Sequence, residues 1–160
     1  MPKATAASGK GDIMSYVTNE DIELRLGTAR YVQLTDDAGT GSPDEAVADE
    51  ARLSAEGEVN AALAPRYAVP IDLVAHPEVA DLLRGVTLDL VEYRLHARRR
   101  DIPRDVAARR AAVADWLARV GRGDESLPSV APIPPGAPQG PRASTTGEPR
   151  ILSRDELSDF

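Results

Sequence analysis

Prolines divide this chain of 160 residues into a part that can form helices and a part that cannot. Seven of its thirteen prolines lie between Pro128 and Pro149. Proline lacks the amide hydrogen that a helix needs and its ring clashes with the preceding turn, so residues 124–160 are predicted to form neither a helix nor a core. The sequence therefore predicts three parts: an N-terminal extension at 1–13, a helical domain at 14–123 and a Pro-rich C-terminal docking arm at 124–160.

Helix start and stop signals follow one another through the central domain. Thr18 and Asp21 have the spacing of a capping box at the start of a short first helix, and Gly27 can supply its left-handed cap. The run from Ser42 to Glu45 combines a cap residue, a proline and acidic residues. This order predicts a second helix over 43–63.

Apolar periodicity predicts two more helices. The third opens at His76-Pro77-Glu78, because apolar side chains then recur every three or four residues. The fourth begins near Pro103 and ends at Gly121. Strand signals are few, although residues 31–34 could form one short extended piece beside a loop at 33–42. The predicted fold class is mainly α: a small bundle of about four helices with extended N- and C-terminal arms.

The chain offers little for catalysis or for a cofactor. It contains no cysteine, and its two histidines, His76 and His96, lie twenty residues apart. The loop Asp36–Gly41 resembles a calcium loop only in part, since Ala38 and Thr40 stand where carboxylates are needed. The glycines match neither a Walker loop nor a dinucleotide fingerprint. We therefore expect no enzyme activity, no metal and no cofactor.

The composition also sets the kind of core and the compartment. Aromatic residues make up 4% of the chain, so the core must consist of Ala, Val and Leu, and such a domain is expected to gain stability from neighbouring proteins. No apolar run approaches the length of a membrane span, and the N-terminus lacks a signal-peptide core. We expect a soluble protein that is neither secreted nor bound to a membrane.

Charge is separated along the chain. Residues 14–66 carry eleven acids against four bases, a net charge of −7, whereas residues 92–123 carry four acids against nine bases, a net charge of +5. Separated charge of this kind can steer one copy head-to-tail onto another, a heterologous contact that can close into a ring. The alternative is that both charged regions are solvated helix faces.

The order of several short motifs resembles the Mu-like head-tail connector (adaptor) family of tailed phages. The resemblance covers roughly residues 14–123: MSYVT near the start, an LTD-type turn, a long Ala-rich helix ending in RYAVP, and a Trp-Leu pair in the last helix. Arg66, Tyr67 and Pro70 belong to its sharpest segment. From the residues alone, Tyr67 is expected to pack under the break after the second helix and Pro70 to set the direction of the chain.

This resemblance implies a structural protein of the virion, located at the head-tail interface and in the host cytoplasm during assembly. It implies a homo-oligomeric ring, twelve-fold to match a portal. The implied partners are the portal protein, a tail-side connector or stopper protein, and DNA that passes through the lumen without sequence recognition.

Arginines form the strongest electrostatic feature, and three interpretations of them remain open. They could pair with carboxylates on a protein partner, form a solvated face, or neutralise DNA phosphates. A small helical nucleic-acid-binding regulator is therefore the alternative function. In the connector interpretation, acids of the second helix face arginines of the next subunit; the predicted interface comprises Asp44, Glu45, Asp49, Glu50, Arg94, Arg98, Arg99, Arg100, Arg104, Arg109 and Arg110.

The Pro-rich arm is predicted to bind an adjoining component of the particle. Its largest apolar side chains cluster at the end of the chain and are the expected anchors: Ile151, Leu152, Leu157 and Phe160. We expect that deleting residues 124–160 leaves the helical body folded but stops the protein from joining heads to tails.

Overall fold

The computed structural model of this protein describes residues 15–134 and 136. These residues form five helices: α1 Asn19–Leu26, α2 Thr28–Thr35, α3 Glu45–Leu63, α4 Pro77–Arg98 and α5 Arg104–Arg122. The described part contains no strand. A mainly α fold is therefore confirmed, with one helix more than the four predicted. The extension at 1–13 and the four arm anchors lie outside the described residues.

The first helix begins as its sequence predicts. The Thr18 side chain accepts a hydrogen bond from the Asp21 amide, and the Asp21 carboxylate accepts one from the Thr18 amide, which confirms the capping box. Gly27 ends α1 with φ 78° and ψ 145°. The positive φ favours glycine, but the ψ value places Gly27 outside the left-handed helical region that was expected. The chain turns at Gly27 directly into α2.

The strand prediction at residues 31–34 is wrong, because these residues lie inside α2. Tyr31, Leu34 and Thr35 are its buried residues, and their spacing of three and four places them on one helical face. A short run rich in β-branched and aromatic residues has the composition of a strand, and only its packing against α3 and α4 shows the helical period. The predicted loop therefore begins at Asp36.

The second predicted helix, α3, begins two residues later than expected. Asp44 caps it by accepting a hydrogen bond of 2.9 Å from the Ala46 amide, and Pro43 precedes the helix. The buried face of α3 carries small side chains: Ala48, Ala51, Ala55, Val59 and Leu63. Small residues allow close approach of neighbouring helices, which suits a helix that packs on both α4 and α5.

Helices α3 and α4 form a central pair, because each of them contacts the other and all three remaining helices. Helices α1 and α2 also pack against each other. Among the described residues, α5 makes no backbone contact with α1 or α2. The most buried helix is α4, and α5 ends one residue later than predicted, at Arg122, where Gly123 provides a left-handed cap with φ 90°.

Candidate interface surfaces

Five of the seven predicted interface arginines form ion pairs within the subunit. Two of them meet at Glu58 of α3, where Arg94 of α4 lies 2.6 Å from one carboxylate oxygen and Arg110 of α5 lies 3.1 Å from the other. The Arg110 guanidinium also lies over the Tyr93 ring, 5.6 Å from its centroid. Glu58 therefore holds the central pair and α5 together.

The C-terminus of α4 holds the loop between α2 and α3. Arg98 lies 2.5 Å and Arg99 lies 3.0 Å from the carboxylate oxygens of Asp37. Arg98 also donates to the Leu34 carbonyl at 3.3 Å, and Arg99 donates to the Asp36 carbonyl at 2.9 Å. The end of α4 thus lies beside the end of α2 and the loop that leads to α3.

Arg109 belongs to a network that joins α1, α4 and α5. Its guanidinium lies 3.2 Å from Asp89 and 2.9 Å from Glu92, both on α4. Arg25 of α1 pairs with the same two carboxylates, at 2.6 Å from Asp89 and 3.6 Å from Glu92. Asp105 accepts a further hydrogen bond of 2.9 Å from Arg109, which lowers the pKa of its carboxyl group. Two arginines thus share two half-buried acids.

Arg100 and Arg104 are the remaining two arginines of the cluster. Neither forms an ion pair or a side-chain hydrogen bond with any residue in the described part of the chain, and both are exposed. Arg100 has φ 55°, a left-handed conformation that costs energy for a residue other than glycine. The positive charge that the described residues leave uncompensated in this cluster is therefore concentrated at the turn between α4 and α5.

The acids predicted to face these arginines have separate roles. Asp44 caps α3, whereas Glu50 has no ion pair among the residues described. Glu45 and Asp49 both accept hydrogen bonds from the Asn19 amide nitrogen, at 2.7 and 3.1 Å. Asp49 also pairs with Arg52 at 3.1 Å. Which of these acids and arginines contact a second subunit stays a prediction.

An acidic niche lies where α1, α2 and α3 meet, and we define it by Asn19, Tyr31, Glu45 and Asp49. Tyr31 is 1% exposed, and its hydroxyl lies near the Glu45 carboxylate but makes no hydrogen bond of regular geometry with the described residues. Burial and the neighbouring carboxylates raise the pKa of Tyr31 to about 12. The Asn19 carbonyl oxygen is likewise buried without a partner in the described part. Sequence reasoning missed both residues, because their surroundings arise only from packing.

A second contact that the sequence did not reveal lies where residues 15–17, before α1, meet α3. Glu56 of α3 is 8% exposed and accepts hydrogen bonds from the Ser15 hydroxyl at 2.5 Å, the Tyr16 amide at 3.0 Å and the Val17 amide at 3.3 Å. The Tyr16 hydroxyl lies 2.5 Å from the Asn60 side-chain oxygen. The buried Glu56 carboxylate thus binds residues 15–17 to α3.

The Arg66 to Pro70 segment holds the start of the Pro-rich region. Tyr67 is 1% exposed, as expected for a side chain that packs under the break after α3. Its hydroxyl accepts a hydrogen bond of 3.0 Å from the Leu127 amide, and the Arg66 carbonyl accepts one of 2.7 Å from the Ile133 amide. The Val69–Pro70 peptide bond is cis.

The first residues of the predicted arm therefore pack on the helical body. Leu127 is 3% exposed and belongs to the core, and Val130 packs against that core. The Arg66 guanidinium fills the space beside Gly123, where a Cβ atom would lie 1.5 Å from Arg66 Nη1. The expectation that residues after 124 cannot contribute to a core is wrong for Leu127, since a single apolar side chain can be buried without regular secondary structure.

The remaining sequence candidates occupy structural positions. His76 precedes α4 at its N-cap, and buried His96 places Nδ1 2.9 Å from the Asp101 carbonyl oxygen. The Asp36 carboxylate accepts hydrogen bonds from the Thr40 and Gly41 amides, which lower its pKa and make the loop a turn closed by its own aspartate. No group of acids and histidines in the described part could hold a metal ion. None of its helices is long and apolar enough to cross a membrane.

Comparison with known proteins assigns the chain to a family. No curated protein matches it. The sequence profile of the family described as Bacteriophage Mu, Gp36 matches residues 16–144. The match continues beyond Gly123, so it includes the first part of the Pro-rich segment, which the motif resemblance over roughly residues 14–123 did not cover. Because the match covers most of the chain, the protein belongs to the bacteriophage Mu Gp36 family and is a Mu-like phage protein.

Proposed function

We propose that the protein is a structural head-tail connector, or adaptor, of a tailed phage or a phage-derived particle. In this role it forms a ring between portal and tail through which DNA passes. The observation that carries the proposal is the family match over residues 16–144, which includes the whole helical body and the start of the Pro-rich segment. The resemblance of the RYAVP and MSYVT motifs to connectors supports the same role.

The shape and chemistry of the body favour an assembly role over catalysis. One cavity of about 430 Å³ is open to solvent and is lined mainly by Pro65, Arg66 and residues near the start of the arm. These side chains do not form the pairing of nucleophile and base that catalysis needs. We therefore propose a protein that is not an enzyme and acts through its surfaces.

Several large apolar side chains are exposed on this small body. Leu24 of α1 is 77% exposed, Leu53 of α3 is 56% exposed and Val74, in the segment before α4, is 87% exposed. They lie on different elements, so neighbours on more than one side could cover them. Such exposure suits a subunit that contacts copies of itself, a portal protein above and a tail-side connector or stopper protein below. The proposal also includes a ring of twelve-fold symmetry and an arm that binds an adjoining component of the particle.

A phage in which this gene is interrupted tests the role. We expect filled heads and free tails that fail to join, with joining restored by the full chain supplied from a plasmid. Electron microscopy of particles that carry a tagged copy should place the tag at the head-tail junction. Normal joining without the protein, or a tag on the capsid shell or the tail tip, would contradict the connector role.

The rival function, a nucleic-acid-binding regulator, predicts salt-sensitive binding of the isolated protein to DNA. Five of the seven arginines that it would use pair with carboxylates of the same chain. We therefore expect little DNA retention even at low salt. Strong retention that is lost steeply with added salt, in a protein absent from particles, would favour the regulator.

A further inference from the structure

An open groove lies between the first half of α3 and the last turns of α4, and we call it the α3/α4 groove. Its volume is about 250 Å³, and its lining includes Ala51 and Ser54 of α3 and Tyr93 and Ala97 of α4. Arg110 of α5 lies over the Tyr93 ring, yet no residue of α5 lines the groove. The wall is mostly apolar and is open to solvent, so another segment of chain can bind there.

Several charged groups beside this groove have no ion pair in the described part of the chain. Arg98 lines the groove at the end of α4, and exposed Arg100 and Arg104 follow it in the turn that leads to α5. Neither Arg100 nor Arg104 meets a carboxylate among the described residues, and the same holds for Glu50, which lines the groove from α3. An occupant that fits should therefore carry apolar side chains, several acids and a base.

Residues 151–160 of the same chain have this composition. Their acids are Asp155, Glu156 and Asp159, their base is Arg154, and their large apolar side chains are Ile151, Leu152, Leu157 and Phe160. The acids suit Arg100 and Arg104, and Arg154 suits Glu50. The segment and the groove are thus complementary both in apolar content and in the sign of their charges.

The chain that precedes this segment is long enough to carry it to a second copy. The described part of the arm lies beside the end of α3, where the Ile133 amide donates to the Arg66 carbonyl and Gly136 lines the same cavity as Arg66. Residues 137–150 can span at most about 50 Å, at about 3.6 Å per residue. A folded body of the described size has a diameter of about 35 Å. The segment can therefore reach past its own body to an adjacent one.

The exit of the arm and the α3/α4 groove lie toward different ends of α3. Arg66 follows the C-terminus of this helix, whereas Glu50 and Ser54 lie about 14–20 Å before that end along the helix axis. We propose that residues 151–160 of one copy of this chain bind the α3/α4 groove of the next copy. Such a contact joins two different surfaces, so it is heterologous and can repeat around a ring. This inference rests on the proposed connector function and names the component that the segment binds.

The contact is expected in assembled rings and not in dilute subunits. A single contact is weak, because the segment loses conformational freedom when it binds. In a closed ring every copy supplies one segment and one groove, so all the contacts form together at a high effective concentration. The unfolding free energy of the dilute subunit should therefore not depend on the segment.

Cross-linking tests the contact directly, since the chain contains no cysteine. The full chain with both Ser54→Cys and Ser158→Cys is treated with a short thiol cross-linker, as concentrated protein and in particles. It should give a ladder of covalent multimers. A mixture of the two singly substituted chains should stop at dimers. The matched control replaces Ser54→Cys by Ala108→Cys, an exposed position on α5 outside the groove, and should give no ladder.

Substitutions in the segment and beside the groove test the two sources of binding. Leu157→Ser combined with Phe160→Ser removes two apolar anchors, and Arg100→Gly removes a guanidinium at a position whose φ of 55° suits glycine. Sedimentation over a concentration series should show association weakened about tenfold by the anchor variant and about threefold by Arg100→Gly. Arg84→Gln, an exposed arginine earlier on α4, is the control and should associate normally. Circular dichroism and dilute unfolding check that each variant is folded.

The outcomes separate this inference from the proposed function. If the protein is absent from the head-tail junction but the ladder forms, the connector role fails and the contact between copies stands. If it is present there but no ladder forms and the variants associate as the control does, the contact is wrong and the connector role stands. A cross-link within single chains would place the segment on its own groove and overturn the inference. Variants that lose only a portal or tail protein, with their own association unchanged, would overturn it as well.

Discussion

The backbone amide of Leu127 donates a hydrogen bond of 3.0 Å to the Tyr67 hydroxyl, across 60 residues of sequence. Both residues are buried in the core. The bond joins the RYAVP motif to the first residues of the Pro-rich segment, and the Ile133 amide adds a second connection to the Arg66 carbonyl. This motif therefore anchors the point at which the arm leaves the helical body.

Tyr67→Phe should destabilise the protein by about 1–3 kcal/mol, because it leaves the buried Leu127 amide without an acceptor. Chemical denaturation measures the change in the free energy of unfolding, and hydrogen exchange should be faster at the Leu127 amide. Tyr93→Phe is the control, since Tyr93 is half-buried and its ring can still contact Arg110. Equal effects of the two substitutions would show that the hydroxyl of Tyr67 has no special role.

Glu56→Ala should cost about 2–3 kcal/mol, because the hydroxyl of Ser15 and the amides of Tyr16 and Val17 lose their acceptor. Glu56→Gln should cost less, since its side-chain oxygen can still accept these bonds. The control is Glu50→Ala on the same helix, where the carboxylate is exposed. Thermal or urea unfolding ranks the three variants, and a cost for Glu56→Ala as small as that of the control would contradict the role of Glu56.

Arg109→Ala should destabilise the body by about 1 kcal/mol, a value kept low because the guanidinium is 36% exposed and its pairs are partly screened. The effect should shrink at high salt. Arg25→Ala acts on the same carboxylates, so the loss in the double variant should differ from the sum of the single losses. Arg104→Ala provides the control, and strict additivity of the Arg25 and Arg109 losses would argue against a shared network.

Stability should fall between pH 10 and about pH 12 through Tyr31, whose pKa is raised from 10.0 to about 12, first by burial and then by nearby carboxylates. The folded protein favours the neutral hydroxyl, so this contribution is complete below pH 10 and is lost as the pH rises through the folded value. Tyr31→Phe should flatten the pH dependence of the unfolding free energy in this range. Burial also raises the pKa of Tyr16, so a residual slope is expected. An unchanged slope would contradict the assignment to Tyr31.

Removing residues 137–160 should leave the unfolding free energy of the body unchanged within about 0.5 kcal/mol, whereas removing residues 124–160 should destabilise it. The difference arises because the longer deletion removes buried Leu127 and the packing of Val130. Leu127→Ala alone should cost about 2–4 kcal/mol. Equal stability of the two truncated chains would show that the packed start of the arm contributes nothing. This prediction replaces the expectation that the whole arm can be deleted without loss to the body.

The sequence by itself determined those features that depend on neighbours along the chain. The capping box of Thr18 and Asp21 and the start of α4 at Pro77 involve residues at most a few positions apart, so their spacing is visible in the sequence. The RYAVP motif similarly pointed to a phage family, which the profile match supports.

Only the tertiary structure decided which distant groups meet. The pairs Arg94–Glu58 and Arg98–Asp37 span 36 and 61 residues. Most arginines of the sequence cluster therefore pair with carboxylates of the same chain and connect its elements. Packing likewise decides that Tyr31 is helical and that Leu127 is buried. It also decides that the Asn19 side-chain oxygen is buried without a hydrogen-bond partner in the described part. Burial and electrostatic pairing act through space, and a linear pattern of residue types does not contain the distances that set them.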